Sequence, residues 1–338
     1  MIILLVLSII AFVSIMLFAK RLKIAIRLAL AIVICLPLAC NSQSLHKKEL
    51  LMLQRKQGWK IVFFQGEYGK ILYLLDLSGR VQKLDLGRLS IKKSSLGSPS
   101  IDSKNDKLYL VESDMESPSE SLIVEIDMQN KKRRIVLKCN PFSLSVSPNG
   151  RFLAFTGKHN GARGLFVVNS ATGKVYLHIR GVNTACSPSW GPESKRLAYC
   201  SKDDFIYILD MNNFSKMRLV HGSFPSWVPS TNLISYRELK RYYLIDINTR
   251  QKNDFLDAEK RLNFLGKVAG MGGPLLWSPD GRYALFYHIG TMFCDVTEQY
   301  VIYLIERNTR EIIRVGSIRG PIVGISWGKL NCSDIGAN

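Results

Sequence analysis

Five consecutive residues, Gly324-Ile325-Ser326-Trp327-Gly328, fit the Gly-x-Ser-x-Gly pattern of a hydrolase nucleophile. That chemistry needs the serine on a strand-to-helix elbow and, in its usual order, a histidine further along the chain. No histidine follows His288, so the segment reads as a strand and not as a nucleophile. No Gly-x-x-x-x-Gly-Lys-Ser/Thr loop, Cys-x-x-Cys pair or His-Glu-x-x-His run is present, which removes the common motif-borne phosphate, thiol and zinc chemistries. His288, Cys294 and Asp295 are metal-ligating types, but their spacing matches no established site. His46, His159, His178 and His221 are dispersed. The expectation is therefore no catalytic residue, no metal and no cofactor.

What the sequence offers instead is charge. The chain of 338 residues carries 46 Lys+Arg against 27 Asp+Glu, a net +19. The excess suits an anionic partner such as a lipid surface or an acidic polymer, or simply a solvated basic surface. Lys131-Lys132-Arg133-Arg134 is its densest run, and Glu112–Glu120 is an acidic counterpart read as a solvated or docking loop. No sequence-specific nucleic-acid module is visible. A hydrophobic content of 47% with 22% charged residues excludes both a disordered chain and a many-spanning membrane protein.

The first forty residues differ from the rest. Lys20, Arg21, Lys23 and Arg27 separate an apolar run Met1–Ala19 from a second, Leu28–Ala39. The basic, apolar, small-residue order before Cys40 is that of a secretory signal. Leu38-Ala39-Cys40 resembles a bacterial lipobox, which implies a lipid-bearing Cys40; Pro37 stands where that motif usually has leucine. Met16 would open a signal of ordinary length. Read as a span instead, Met1–Ala19 is about long enough to cross a bilayer. A hairpin with Leu28–Ala39 leaves the body outside the cytoplasm, and a single span leaves it inside.

The elements that must position any site come from an internal repeat. Val146-Ser147-Pro148-Asn149-Gly150-Arg151-Phe152-Leu153-Ala154-Phe155 recurs as Trp277-Ser278-Pro279-Asp280-Gly281-Arg282-Tyr283-Ala284-Leu285-Phe286, with looser copies at Trp190–Tyr199, Trp227–Tyr236 and Ile101–Tyr109. Proline presets φ at the turn, Asn or Asp bonds locally, and glycine supplies positive φ. Each hairpin is followed by an apolar strand ending in Asp, Asn or Glu, at Asp76, Asp127, Asn169, Asp210, Asp246 and Glu306, and then by a fourth strand. Four strands per unit is the pattern of a propeller blade. The 269 residues from Trp59 to Trp327 divide into six units of about 45, the length of a WD-type blade. Pro321–Trp327 is an opening strand without companions, and Lys60–Leu86 has three strands without an opener. The two halves complete one blade and close the ring, removing its exposed sheet edges.

The Ser-Pro-Asn/Asp-Gly turn between an aromatic-ended strand and an aliphatic one resembles the WD-like repeat of TolB-type bacterial propellers, over roughly Gly97–Trp327. The resemblance implies a periplasmic or envelope protein that acts as an interaction scaffold. With Asn41–Gly58 as the stretch between Cys40 and the first blade, the amino-terminal α/β domain of TolB has no counterpart, and its particular partners are not carried over. The expected organisation is a signal peptide or anchor over 1–40, a linker over 41–58, an all-β six-bladed propeller over 59–330 and a tail over 331–338.

Propeller topology sorts loops onto two faces. Turns joining first to second and third to fourth strands share one face with both chain ends, and Lys131–Arg134 falls there. The opposite face carries two long connections, Asp254–Met271 and His288–Gln299, and long loops in compact repeats often carry function. Both flank the sixth blade, so Phe255, Asp257, Phe264, His288, Phe293, Asp295 and Glu298 are the ligand or partner candidates. With Trp190 set opposite Arg196, Cys186 falls opposite Cys200, either as a cross-strand disulfide in an oxidising compartment or as two buried thiols. Cys139, Cys294 and Cys332 have no evident partner. The expected function is a non-catalytic scaffold for envelope proteins, tethered at the membrane. A ligand-binding or hydrolytic propeller, or a basic surface for anionic polymer, is the alternative.

Overall fold

The structure is a computed structural model that describes residues 51, 52, 54, 56–65, 71–84, 99–113, 121–257, 268–269, 273–290, 299–320 and 322–330. The apolar runs before residue 40, Cys40 itself and the tail 331–338 lie outside the described residues.

Six antiparallel sheets form a β-propeller. Inner to outer, blade 1 holds Ile322–Lys329, Trp59–Gln65, Ile71–Leu75 and Val81–Lys83. Blade 2 holds Ser100–Asp102, Lys107–Glu112, Leu122–Asp127 and Lys132–Lys138, and blade 3 holds Asn140–Val146, Phe152–His159, Ala162–Asn169 and Val175–Ile179. Blade 4 is Ser189–Trp190, Arg196–Cys200, Phe205–Asp210 and Lys216–His221; blade 5 is Ser223–Trp227, Leu233–Glu238, Arg241–Asp246 and Lys252–Asp257. Blade 6 runs outward through Tyr283–Gly290, Gln299–Glu306 and Ile312–Arg319. Its inner position is divided: Val268–Ala269 pairs with Ile289–Gly290, and Leu276–Trp277 pairs with Ala284–Leu285.

The ring closes as expected. Ile325 lies opposite Phe63 and Lys329 opposite Trp59, so the last strand is the innermost strand of the first blade. Trp59 and Trp327 meet edge to face at 6.0 Å.

Because each blade is covered by a neighbour on both faces, the middle strands are buried along nearly their whole length, and their sequences read as continuous apolar runs. Phe152–His159 and Ala162–Asn169 behave this way, whereas the outer strand Lys132–Lys138 is mostly open to solvent. The cores sit between blades. Leu108, Leu110 and Val124 of blade 2 pack on Val62, Phe64 and Leu74 of blade 1. Tyr109, Val111 and Ile123, on the other face of the same blade, pack on Leu153, Phe155 and Phe166 of blade 3.

The repeated turn has a physical origin visible twice. Ser147 Oγ donates to Asn149 Oδ1 at 2.8 Å and accepts from the Phe152 amide at 3.0 Å, while Arg151 N donates to Asn149 Oδ1 at 3.0 Å. In blade 6, Ser278 Oγ donates to Asp280 Oδ1 at 2.5 Å, Tyr283 N to Ser278 Oγ at 2.9 Å and Arg282 N to Asp280 Oδ1 at 3.0 Å. The glycine serves the ring as well as the turn. Gly150 has φ +73°, and a Cβ there would lie 2.4 Å from Asp102 Oδ2 of the preceding blade.

The acidic or amide residue ending each third strand caps its turn. Asp127 Oδ1 accepts the Gln129 and Asn130 amides, Asn169 Oδ1 those of Ala171 and Thr172, and Asp246 Oδ1 those of Asn248 and Thr249. Glu306 Oε2 does the same for Asn308 and Thr309. The backbone N–H of Asn130 on Asp127, and that of Thr249 on Asp246, hold these carboxyls below their ordinary 3.8.

The register at Trp190 differs from the sequence expectation. Trp190 pairs with Leu197, not Arg196, because the turn Gly191–Ser194 takes one more residue on its far side, with Gly191 N donating to Arg196 O. Cys186 nevertheless meets Cys200, with Sγ–Sγ 2.11 Å and Cα–Cα 6.0 Å. Cys186 reaches it from a turn, its amide donating to Asn183 O, and not from a paired strand. Cys139 is buried, and burial pushes its thiol up to about 12. Alkylation of the native, unreduced protein followed by peptide mass mapping should find Cys139 unmodified and Cys186 joined to Cys200. Cys186→Ser should then cost about 3 kcal/mol, the chain-entropy value for a loop of this size, or about 6 °C in Tm. An unchanged Tm would mean that the link does not form.

Candidate functional site

On the face opposite the repeated turns, the second and third strands of blade 5 meet in a two-residue hairpin. Glu238 pairs with Arg241, which leaves Leu239 and Lys240 as the turn. Leu239 has φ +53° and is 90% exposed. Both properties oppose folding. A left-handed backbone favours Gly, Asn or Asp at such a turn, and an exposed leucine gains nothing from burial. The hairpin overhangs an open cavity of about 890 Å³ lined by Glu238, Lys240, Arg241, Tyr243, Lys252 and Asp257.

The walls of this cavity are ordered by ion pairs. Lys252 Nζ lies 2.5 Å from Glu238 Oε2 and 3.8 Å from the Tyr243 ring centroid. Arg241 Nη2 lies 3.3 Å from Asp257 Oδ2. Burial alone would lower the Lys252 pKa, but the bonds to Glu238 and Tyr236 outweigh it and raise the group above 10.5. The result is an exposed apolar tip beside an aromatic ring and two braced charge pairs. Among the described residues that line the cavity there is no Ser, Cys or His. Among the described residues no three His, Cys, Asp or Glu side chains converge as metal ligands.

The sequence-predicted residues are distributed unevenly. Asp257 lines the cavity. Phe255, two residues earlier, turns into the core between blades 5 and 6, 5.4 Å from the Trp277 ring, with the Arg310 guanidinium 4.3 Å from its own ring centroid. His288 sits in the second strand of blade 6 opposite Val301. Phe264, Phe293, Asp295 and Glu298 lie outside the described residues. The described strands run to Asp257 and Gly290 and resume at Val268 and Gln299, so both connections are shorter than the sequence suggested. Leu239, Lys240, Arg241, Tyr243 and Lys252 were missed; the signal was a leucine at the centre of a two-residue turn between two clear strands.

The basic run on the opposite face is partly consumed by the fold. Arg133 Nη2 lies 2.6 Å from Glu112 Oε2 and Arg134 Nη2 lies 2.7 Å from Glu125 Oε2, both carboxylates being buried. Lys132 remains exposed and Lys131 half-buried. Glu125 also accepts from Lys107 Nζ at 3.0 Å and Tyr109 Oη at 2.9 Å. Arg134 extends the network across the blade boundary, donating to Ala171 O at 2.7 Å and Ser170 O at 2.8 Å.

No family model and no curated protein matches the sequence. Among solved structures, TolB from Acinetobacter baumannii is similar at 18% identity and TM-score 0.62, the match covering 80% of this chain and 66% of that one. A putative TolB from Agrobacterium tumefaciens is similar at 14% identity and TM-score 0.53, covering 78% of this chain and 90% of that one. At these identities the likeness lies in the architecture, and the chain carries the propeller fold of the TolB-type proteins.

Proposed function

We infer that the protein is a non-catalytic interaction scaffold of the bacterial cell envelope, held at the membrane through lipid on Cys40 or an amino-terminal helix, with its propeller in the periplasm. Leu239 carries the reading. A leucine that is nine-tenths exposed in a left-handed turn contributes nothing to the fold that asparagine would not improve, while it offers an apolar anchor beside Tyr243 and two charge pairs, the composition of a protein-docking surface. The Leu-Ala-Cys sequence and the Cys186–Cys200 pair favour an oxidising compartment. The partner is an envelope protein whose surface buries Leu239 and complements Lys240.

Crosslinking in intact cells, with wild type compared with Leu239→Asn, tests this. Asparagine suits the left-handed turn, so the variant should keep its Tm while capture of a reproducible partner falls by about tenfold, as loss of a docking anchor would give. Equal capture by both forms would move the docking site away from blade 5. Turnover of an envelope polymer without any captured protein would replace the scaffold by a hydrolytic propeller.

A further inference from the structure

On the face of the repeated turns, blades 2 and 3 border a second, open cleft of about 610 Å³, whose lining includes Lys104, Lys107, Asn149, Gly150, Arg151 and Asn169. Among the described residues no carboxylate lines it. Of the acids nearest in the fold, three are buried beneath. Asp102 accepts the Lys104 and Asn105 amides and Asn105 Nδ2, Glu125 is bound by Lys107, Tyr109 and Arg134, and Asp106 is 4% exposed. Lys107 and Arg134 are spent on Glu125, and a fourth acid, Asp127, opposite Lys107, is closed on its own turn by the Gln129 and Asn130 amides, which leaves Lys104 and Arg151. Lys104 and Arg151 are exposed and enter no ion pair among the described residues.

The amides strengthen the bias. Asn149 Oδ1 accepts from Ser147 Oγ and the Arg151 amide. Asn169 Oδ1 accepts the Ala171 and Thr172 amides and Thr172 Oγ1. With both oxygens engaged by their own turns, the groups these side chains have left to offer a ligand are NH2 donors. The cleft thus combines two unpaired cations with two amide donors and a glycine that keeps its wall low. Blade 6 provides a contrast within the same molecule. There the residue equivalent to Asn149 is Asp280, which makes the same turn bonds and carries a negative charge.

We propose that the cleft between blades 2 and 3 binds a phosphoryl group, with Lys104 and Arg151 neutralising its charge and Asn149 and Asn169 donating to its oxygens. The group comes either from a phospholipid headgroup or from a soluble phosphomonoester. The proposal is independent of the docking surface on blade 5.

The test is calorimetric titration of glycerol 3-phosphate, with glycerol as the blank, into the full chain held in alkyl maltoside micelles, which carry no phosphate. Saturable binding is expected. Asn149→Asp keeps the turn, as Asp280 does in blade 6, and should lower affinity by about tenfold with no change in Tm. Lys216→Ala, on blade 4, alters net charge by the same single unit and should bind as wild type does. Equal losses in both variants would reduce the effect to overall charge and overturn the site, as would the absence of saturable binding. Nanodiscs containing phosphatidic acid identify the source. Weaker apparent affinity there means that headgroups occupy the cleft, and unchanged affinity means that its ligand is soluble; either result supports the phosphoryl chemistry.

Discussion

A chain ended after Gly320 is expected to lose both cooperative unfolding and its monomeric state, whereas moving residues 321–330 ahead of Trp59 through a short turn should restore both. The truncation removes Ile322, Ile325 and Leu330, all buried, at roughly 1.5–3 kcal/mol each. Their sum approaches the whole stability of an ordinary domain, about 5–15 kcal/mol. It also uncovers the edge of Trp59–Gln65, a buried apolar strand whose unpaired N–H and C=O groups would template another chain. The rescue follows from register. Lys329 lies opposite Trp59, so the two can be joined by a tight hairpin without moving either strand. Chemical denaturation with light scattering would read both chains. A truncated protein that unfolds cooperatively as a monomer would show that closure by this strand is dispensable.

Glu125→Ala should cost about 3 kcal/mol, the upper end for leaving a buried donor unsatisfied, because Lys107 and Arg134 are partly exposed and can turn to water. For a domain of this size that is a fall of about 6 °C in Tm. Glu125 is 6% exposed and receives Lys107, Tyr109 and Arg134, so alanine releases two partly exposed cations and leaves a buried phenol without its acceptor. Since Arg134 continues to the carbonyls of Ser170 and Ala171, the damage spreads to the seam between blades 2 and 3. Glu125→Gln, which keeps an acceptor for Tyr109, should lose less. The same carboxyl gives a pH dependence. Burial alone would raise its pKa, but the bonds from Arg134, Lys107 and Tyr109 outweigh this and hold it below 4.5. A folded pKa below the unfolded one means that the contribution is complete above about pH 5 and is lost as the pH falls through the lowered folded value. Wild type should therefore keep its Tm down to about pH 5 and lose it below about pH 4, and the alanine variant should lose less over the same interval. A Tm unaffected by Glu125→Ala would mean that the network contributes no net stability.

Arg133 and Arg134 mark where reading the sequence stops. As a run of four cations they suggest a surface for anions, yet two of the four are committed to Glu112 and Glu125. Counting charges along a chain cannot reveal this, because in an antiparallel sheet the neutralising carboxylates come from other strands. Phe255 shows the same limit, adjacent in sequence to a loop but packed between blades 5 and 6.

The sequence by itself determined the all-β class, the six units, the turns and the closing strand. Each rests on a local requirement that leaves a local mark: proline and glycine angles, the carboxylate or amide that caps a turn, and apolar strands four to a unit. Only the tertiary structure decided the Trp190–Leu197 register, which cations are spent, and which residues line the two cavities. Those depend on how blades abut across tens of residues of sequence, where the partner of a side chain is set by ring geometry and carries no signature at its own position.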